Sequence, residues 1–501
     1  MSKDHTQRGV IAAGHPVTAR IGADVLRDGG NAVDAALGAM LASFVCEPLL
    51  TGLGAGGYML VAKPEETPVL LDFFVEAPGR GADPSSRSEL VPISVSFGDA
   101  IQVFNIGAAS VGAYGLPAGL CEAATRFGRV PLAELAKPAI ALARQGVELN
   151  AQQAYVAEIL GGIVTATPES AKLFAPGGRL LRAGEIMRQP ELAEALVRLG
   201  EEGAGPFYCG DIAAAILDWL APLGGMLTAA DLAAYEVLDR PPARVSYRGR
   251  DVLTNPPPSA GGILIARALA LLQGVAERPD VERIVEVMES TQAERTPEFL
   301  QGLADPEFVT RFLAQRPSLG STTHIAVIDC DGWACSVTCS NGSCSGIVVP
   351  GTGVHLNNML GEQDLNPLGF HRHPPGRRLP SMMAPTVVLR DGEPELVVGS
   401  AGSNRIRSAI LQTIVRVLDD GLQAPDAVEA PRVHLEEGVV YAEPGVDTAK
   451  LETAGRTISR FRERNLFFGG VQAVERDTAG EFWGGGDPRR GGAALVVGPN
   501  E

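Results

Sequence analysis

The chain has 501 residues, a formal net charge of −17, 45% hydrophobic residues and 20% charged ones. Its length exceeds one ordinary core and suits a large α/β unit or two lobes, and its composition excludes a chiefly disordered chain. The acidic balance argues against a general binder of nucleic acid or anionic membrane. The opening MSKDHTQRGVIAAGHPVTA holds no apolar run of signal-peptide length, and no segment reaches a membrane span. The expectation is a cytoplasmic protein whose seven cysteines are reduced.

Residues 17–45 read as two helices. VTARIGADVLRDGGN carries Ile21, Val25 and Leu26 at helical spacing and stops at Gly29-Gly30. Asn31 then caps AVDAALGAMLASFV, with Asp34 near its positive end, and the small apolar residues all round that helix mark it as buried. TGLGAGGYMLV is a glycine loop leading into a strand. It lacks the Gly-Lys-Ser/Thr ending of a phosphate loop. VLLDFF is the next strand. Residues 110–270 read as mostly helical, 275–318 as polar with weak helical periodicity, and Pro317–Gly320 as a loop. THIAVID and WACSVTCS then form two strands about a turn at Cys330-Asp331-Gly332, and PTVVLRDGEPELVVGS repeats the layout with Asp391-Gly392. NRIRSAILQTIVRVLDDG is an amphipathic helix ended by Gly421, and AALVVG is a last strand. Strands apolar on both faces, with helices before and after, predict an α/β fold in a four-layer αββα stack.

Two adjacent threonines, Thr322-Thr323, stand at the mouth of THIAVID behind Gly320-Ser321. Alone they are ordinary strand residues. A threonine hydroxyl is a weak nucleophile without a base, but an N-terminal threonine carries its own in the α-amine, with a pKa of roughly 7.7–8.0. Scission between Ser321 and Thr322 would create that amine. Cys330, Cys335, Cys339 and Cys344 lack a CxxC pair and read as core thiols, and His371 and His373 as a solvated loop, so no metal and no cofactor is expected.

The order of motifs resembles the γ-glutamyltransferase family of N-terminal nucleophile hydrolases. GGNAVDAA (29–36), Glu47-Pro48, TGLGAGGYM (51–59), TTHIAVIDCDG (322–332), SGIVVPGTGVHLNN (345–358), SMMAPT (381–386), GSAGSNRI (399–406) and DPRRGG (487–492) follow the family's sequence. The resemblance implies Thr322 as nucleophile and base, Ser340 as a hydroxyl bonded to it, Asn341 as a positioning residue, and Gly402 and Ser403 as backbone oxyanion donors. Serine stands in the second of two glycine places there. It further implies self-cleavage into 1–321 and 322–501, which stay paired as one intertwined unit, with a small molecule as the other partner.

Departures from the family fall in the donor pocket. Phe74 stands where an arginine binds the donor's α-carboxylate, and a phenyl ring offers no bidentate fork. Glu362 takes the place of the acidic ligand of the α-ammonium, one methylene longer, and Met359 that of a nearby glutamine. Ser381 and Met382 replace a Ser-Ser pair, and Arg377-Arg378 just upstream is a candidate substitute cation. The expectation is a threonine hydrolase acting on a less polar acyl group. That includes hydrolytic C–C cleavage, as implied by homologues in actinomycete alkyl-proline antibiotic pathways. A genuine γ-glutamyl transferase or glutathione hydrolase, and an uncleaved binding protein, are the alternatives.

Overall fold

Every residue of Thr323–Asp329 and Ala334–Ser340 is buried, as their continuous apolar character requires. The computed structural model describes residues 7–96, 101–274, 277–293, 323–366 and 369–498. It places those two strands near the middle of a seven-stranded sheet that packs on a six-stranded one. In chain order the strands are β1 (Gly9–Ala13), β2 (Gly56–Ala62), β3 (Val69–Phe73), β4 (Leu238–Arg240), β5 (Ala243–Tyr247), β6 (Arg250–Thr254), β7 (Thr323–Asp329), β8 (Ala334–Ser340), β9 (Thr386–Arg390), β10 (Glu393–Ala401), β11 (Gly470–Arg476), β12 (Phe482–Gly486) and β13 (Ala493–Val497). The first sheet runs β13-β1-β7-β8-β2-β3-β4 and the second β12-β11-β10-β9-β6-β5, each antiparallel throughout.

The helices that flank them are α1 (Pro16–Arg27), α2 (Ala32–Cys46), α3 (Leu116–Phe127), α4 (Leu132–Gln145), α5 (Pro190–Glu202), α6 (Ala260–Gln273), α7 (Val281–Ala293) and α8 (Arg405–Leu418). Period-two alternation sorts the side chains into three layers. Met59, Val61, Ile325, Val327 and Val337 face α1–α5. Leu60, Ala326 and Ile328 meet Leu253, Val387, Val397 and Val474 of the second sheet. Val252, Val388, Leu396 and Val398 meet α6–α8. The four-layer αββα stack is thus the observed architecture.

Helix α2 is the rigid centre of the outer layer, buried along its whole length. The Asn31 side chain accepts from the N–H groups of Val33 and Asp34, and the Asp34 carboxylate accepts from that of Asn31, a reciprocal cap. Asp34 also accepts from the backbone of Arg129 and Val130, tying the cap to a distant loop.

Several stretches differ from the expectation. Within the span read as helical, 243–254 is a hairpin. Val245, Val252 and Thr254 favour strand, and Arg248 and Gly249 both take positive φ, +50° and +74°, as a two-residue hairpin turn demands. β1 lies beside β7 although too few residues precede α1 to show a period, and β11–β12 are further strands that the sequence does not announce. Among the described residues, no helix is long and apolar enough to cross a membrane, and no group of three or more His, Cys, Asp or Glu could hold a metal. All seven cysteines are free thiols.

Candidate active site

Helix α2 ends in Glu47, whose backbone N–H caps onto the Ser43 carbonyl. The Glu47 side chain is only 1% exposed. Its Oε2 accepts a hydrogen bond from Thr323 Oγ1 at 2.9 Å, and its Oε1 accepts a longer one from Thr18 Oγ1 at 3.4 Å. Burial pushes this carboxyl up to about 7, against the opposing pull of the two hydroxyls and the positive charge of Arg490. Thr323 is the first described residue of β7 and pairs with Cys339, while Ser340 stands one place further on, opposite Gly56. Thr322 lies outside the described residues.

Beyond β8 the chain folds into a polar knot. The Asn341 N–H donates to the Leu50 carbonyl, and its Nδ2 to the His355 carbonyl at 3.1 Å. The Gly342 N–H donates to Ser340 Oγ at 2.8 Å. Ser343 donates to Glu362 Oε1 from its backbone N–H at 2.8 Å and its hydroxyl at 3.0 Å, and Asn358 Nδ2 donates to Ser343 Oγ at 2.7 Å. Gly342 sits at φ +65°, where a Cβ would lie 2.2 Å from Asn358 Oδ1 and 3.0 Å from Glu362 Oε1. Asn341 Oδ1 and Asn358 Oδ1 are buried with no partner among the described residues. Ser340, Asn341 and Glu362 therefore share one buried corner rich in acceptors.

A second corner forms where β10 turns into α8. Gly402 and Ser403 both take positive φ, +118° and +58°. A Cβ on Gly402 would meet Gly469 Cα at 2.7 Å and Arg490 Nη2 at 3.3 Å. Arg490 is half-buried, and its buried Nε has no hydrogen-bond partner among the described residues. Burial and the neighbouring Arg405 lower it to about 10, while the charges of Asp487 and Glu47 act the other way. Arg490 thus links the Gly402 turn electrostatically to the Glu47–Thr323 corner.

Of the remaining expected site residues, Phe74, Met359 and Met382 lie in apolar layers. Phe74 and Met359 are buried together in the core between the sheets. Met382 departs from the expectation: its side chain packs in the outer core with α6, on the far side of the second sheet. Ser381 is tied into the backbone: its carbonyl accepts from Ala260 N and Ser259 Oγ, and its Oγ accepts from Met383 N at 3.0 Å. Arg378 does not stand in for the missing arginine. Its guanidinium donates to the carbonyls of Phe74 and Glu236 and to the Tyr235 hydroxyl, and pairs with Asp72 at 3.4 Å. Glu47 and Arg490 sit inside motifs that the sequence displays, yet neither stands out there as a site residue. An acid closing a buried, mostly apolar helix just before a glycine loop is the signal that marks Glu47.

A four-layer sandwich with a buried polar corner at the start of a central strand is the architecture of an N-terminal nucleophile hydrolase. Residues 18–497 match the gamma-glutamyltranspeptidase family, and the chain belongs to it. The acylase ACY 1 proenzyme of Pseudomonas sp. (strain SE83) is 29% identical, covering 98% of this chain and 94% of that protein. The glutathione hydrolase proenzyme of Bacillus subtilis (strain 168) is 30% identical, covering 98% and 91%. The crystal structure of cephalosporin acylase from Bacillus halodurans superposes with a TM-score of 0.83 at 26% identity, covering 98% of this chain and 96% of that one.

Proposed function

We propose that this enzyme cuts itself before Thr322 and then removes an acyl group from a small molecule through an ester on Thr322, with water as the acceptor. In self-cleavage, Thr322 Oγ bonds to the Ser321 carbonyl carbon as the C–N bond breaks, and the hydroxyl proton passes to the departing nitrogen. Water then hydrolyses the ester, leaving a carboxyl on Ser321 and a free amine on Thr322. In turnover that amine takes the proton from Oγ, and the backbone N–H groups at Gly402 and Ser403 receive the developing oxyanion. The β7–β8 register supports this reading: Thr323, the residue after the proposed nucleophile, pairs with Cys339, the residue before Ser340.

One observation carries the substrate class. The structure holds an acceptor-rich corner of Asn341, Asn358 and Glu362, while the place of the carboxylate-binding arginine is Phe74, sealed in apolar core. That combination suits an acyl donor bearing an amine or another donor group and lacking a γ-glutamyl α-carboxylate. The relatives divide between names of both kinds, acylase and glutathione hydrolase, and Phe74 favours the first. Expulsion of a stabilised carbon leaving group from a keto-acid-like precursor is the narrower form of the same chemistry. A cytoplasmic setting accords with it.

The test is the intact mass of denatured wild-type protein and of Thr322→Ala, followed by a substrate panel. Two fragments in the wild type and one chain in the variant are expected. A γ-glutamyl anilide should be hydrolysed at least ~30-fold more slowly than an aminoacyl anilide without the α-carboxylate, because an unpaired buried charge costs about 2–5 kcal/mol. A 2-oxo acid in the panel reports C–C cleavage. A single wild-type chain would sink the self-cleavage, and preference for the γ-glutamyl anilide would sink the substrate class.

A further inference from the structure

β7 is held unevenly at its start. β1 pairs with it only as far as Ala13↔Ile325, so Thr323 and His324 have a ladder partner on the β8 side alone. Chain ends fray unless tied down, and cleavage before Thr322 would turn this half-paired start into an end. On the side where β1 has stopped, the Glu47 carboxyl takes the Thr323 hydroxyl at 2.9 Å. Room has been made for it. A Cβ on Gly14, the residue after β1, would lie 2.4 Å from Glu47 Oε2 and 3.1 Å from Thr323 Oγ1. Glu47 itself is fixed by its place at the end of the buried helix α2.

We propose that Glu47 is a positioning residue for this active site, acting through the Thr323 hydroxyl to hold the strand start on which Thr322 reacts. The inference rests on the Thr322 reading above. Burying a carboxyl at this spot costs free energy that an apolar filler would not. The groups that face it are the hydroxyls of Thr18 and Thr323, the Cys46 thiol on its own helix, the Cys339 thiol on β8 and the Arg490 guanidinium. Its ionisation near neutrality means the bond to Thr323 is charge-assisted at pH 8 and neutral at pH 6.

The experiment follows self-cleavage of the full chain made by cell-free translation, at pH 6 and pH 8, for wild type, Glu47→Gln, Thr323→Val and the double variant. Hydrogen exchange of the β7 peptide is measured alongside. Glu47→Gln should cleave about 5-fold more slowly than wild type at pH 8 and equally at pH 6, where both side chains are neutral. Thr323→Val should cleave at least 10-fold more slowly at both, and adding Glu47→Gln to it should change nothing. A wild-type to Glu47→Gln ratio that does not move with pH, or wild-type rates in Thr323→Val, would overturn the proposal. If the wild type stays uncut, the Thr322 reading fails by itself. Exchange then decides: faster exchange at 323–325 in Glu47→Gln and Thr323→Val retains the anchoring role, and unchanged exchange removes it.

Discussion

The ring of Phe74 lies against that of Tyr58, with centroids 5.3 Å apart and planes 25° from parallel. Both side chains have no exposure, and the Tyr58 hydroxyl has no partner among the described residues. The Phe74 carbonyl is meanwhile gripped by Tyr235 and Arg378. Side chain and backbone of this residue are therefore both committed, and an arginine cannot simply be written back. Phe74→Ala should destabilise the chain by about 3–5 kcal/mol, as for other buried aromatics. Phe74→Arg should bury an unpaired guanidinium and lose at least as much, without gaining turnover of a γ-glutamyl anilide. Urea unfolding in a Thr322→Ala background, with an anilide assay of the otherwise native chain, checks both.

The fragments 1–321 and 322–501 should not part after cleavage. β7 and β8 lie between β1 and β2, so the second fragment forms the middle of a sheet whose neighbours on both sides belong to the first. Separation would expose whole strand edges and the apolar layers on both faces. A single size-exclusion peak holding both fragments is expected in buffer. Two peaks without denaturant would contradict this.

Much of this is legible in the sequence because it is local. Asn31 and Asp34 announce the cap of α2, and the turn at Asp391-Gly392 shows in its composition, with φ +53° and +90° as found. Other parts are hidden for a physical reason. The hairpin at 243–254 turns on Arg248, a residue seldom found at positive φ, so no Asn-Gly or Asp-Gly marks it. Met382 cannot be placed from motif order, because order does not tell on which side of a sheet a side chain packs. Glu47 meets Thr323 across 276 residues of chain, and no local pattern reports such a contact.

The Glu47 carboxyl also predicts a slope of stability with pH. Its folded value, about 7, is raised above the usual 4.5, so its contribution is fully present below 4.5 and is lost as pH rises through 7. A pKa difference of one between folded and unfolded chain is worth about 1.4 kcal/mol. Glu47→Gln, which never ionises, should gain stability relative to wild type as pH rises from 5 to 8, by up to ~3 kcal/mol. Thermal melts in the uncut Thr322→Ala background test this. Replacing Arg490 with Met should move the midpoint upward, because its positive charge favours the carboxylate.

Four buried histidines slope the opposite way. Burial lowers His324 to about 3 and His15, His355 and His434 to about 4. Their contributions are present above 6.5 and are lost as pH falls towards those values, because the unfolded chain takes up protons the folded one refuses. Acid unfolding should therefore set in between pH 6.5 and 4. His355→Leu, which has no proton to take up, should show a shallower loss than wild type in urea titrations at pH 6.5, 5.5 and 4.5. An equal slope would remove His355 from the account.

Gly402, one of the two proposed oxyanion donors, sits in a tightly constrained turn. Its φ of +118° is costly for a residue with a side chain, and a Cβ there would stand 2.7 Å from Gly469 Cα, a backbone atom that cannot swing away. Gly402→Ala must therefore shift the turn and with it the N–H groups of 402 and 403. Losing one well-aimed oxyanion donor costs about 10²–10³ in rate. Turnover should fall by that factor, with little change in KM if the acyl group is bound chiefly at the Asn341–Glu362 corner. Steady-state kinetics on the best anilide of the panel separate the two constants. A variant with native kcat would mean that the oxyanion forms elsewhere, and Arg490, 3.3 Å from where that Cβ would sit, would be the first donor to test in its place.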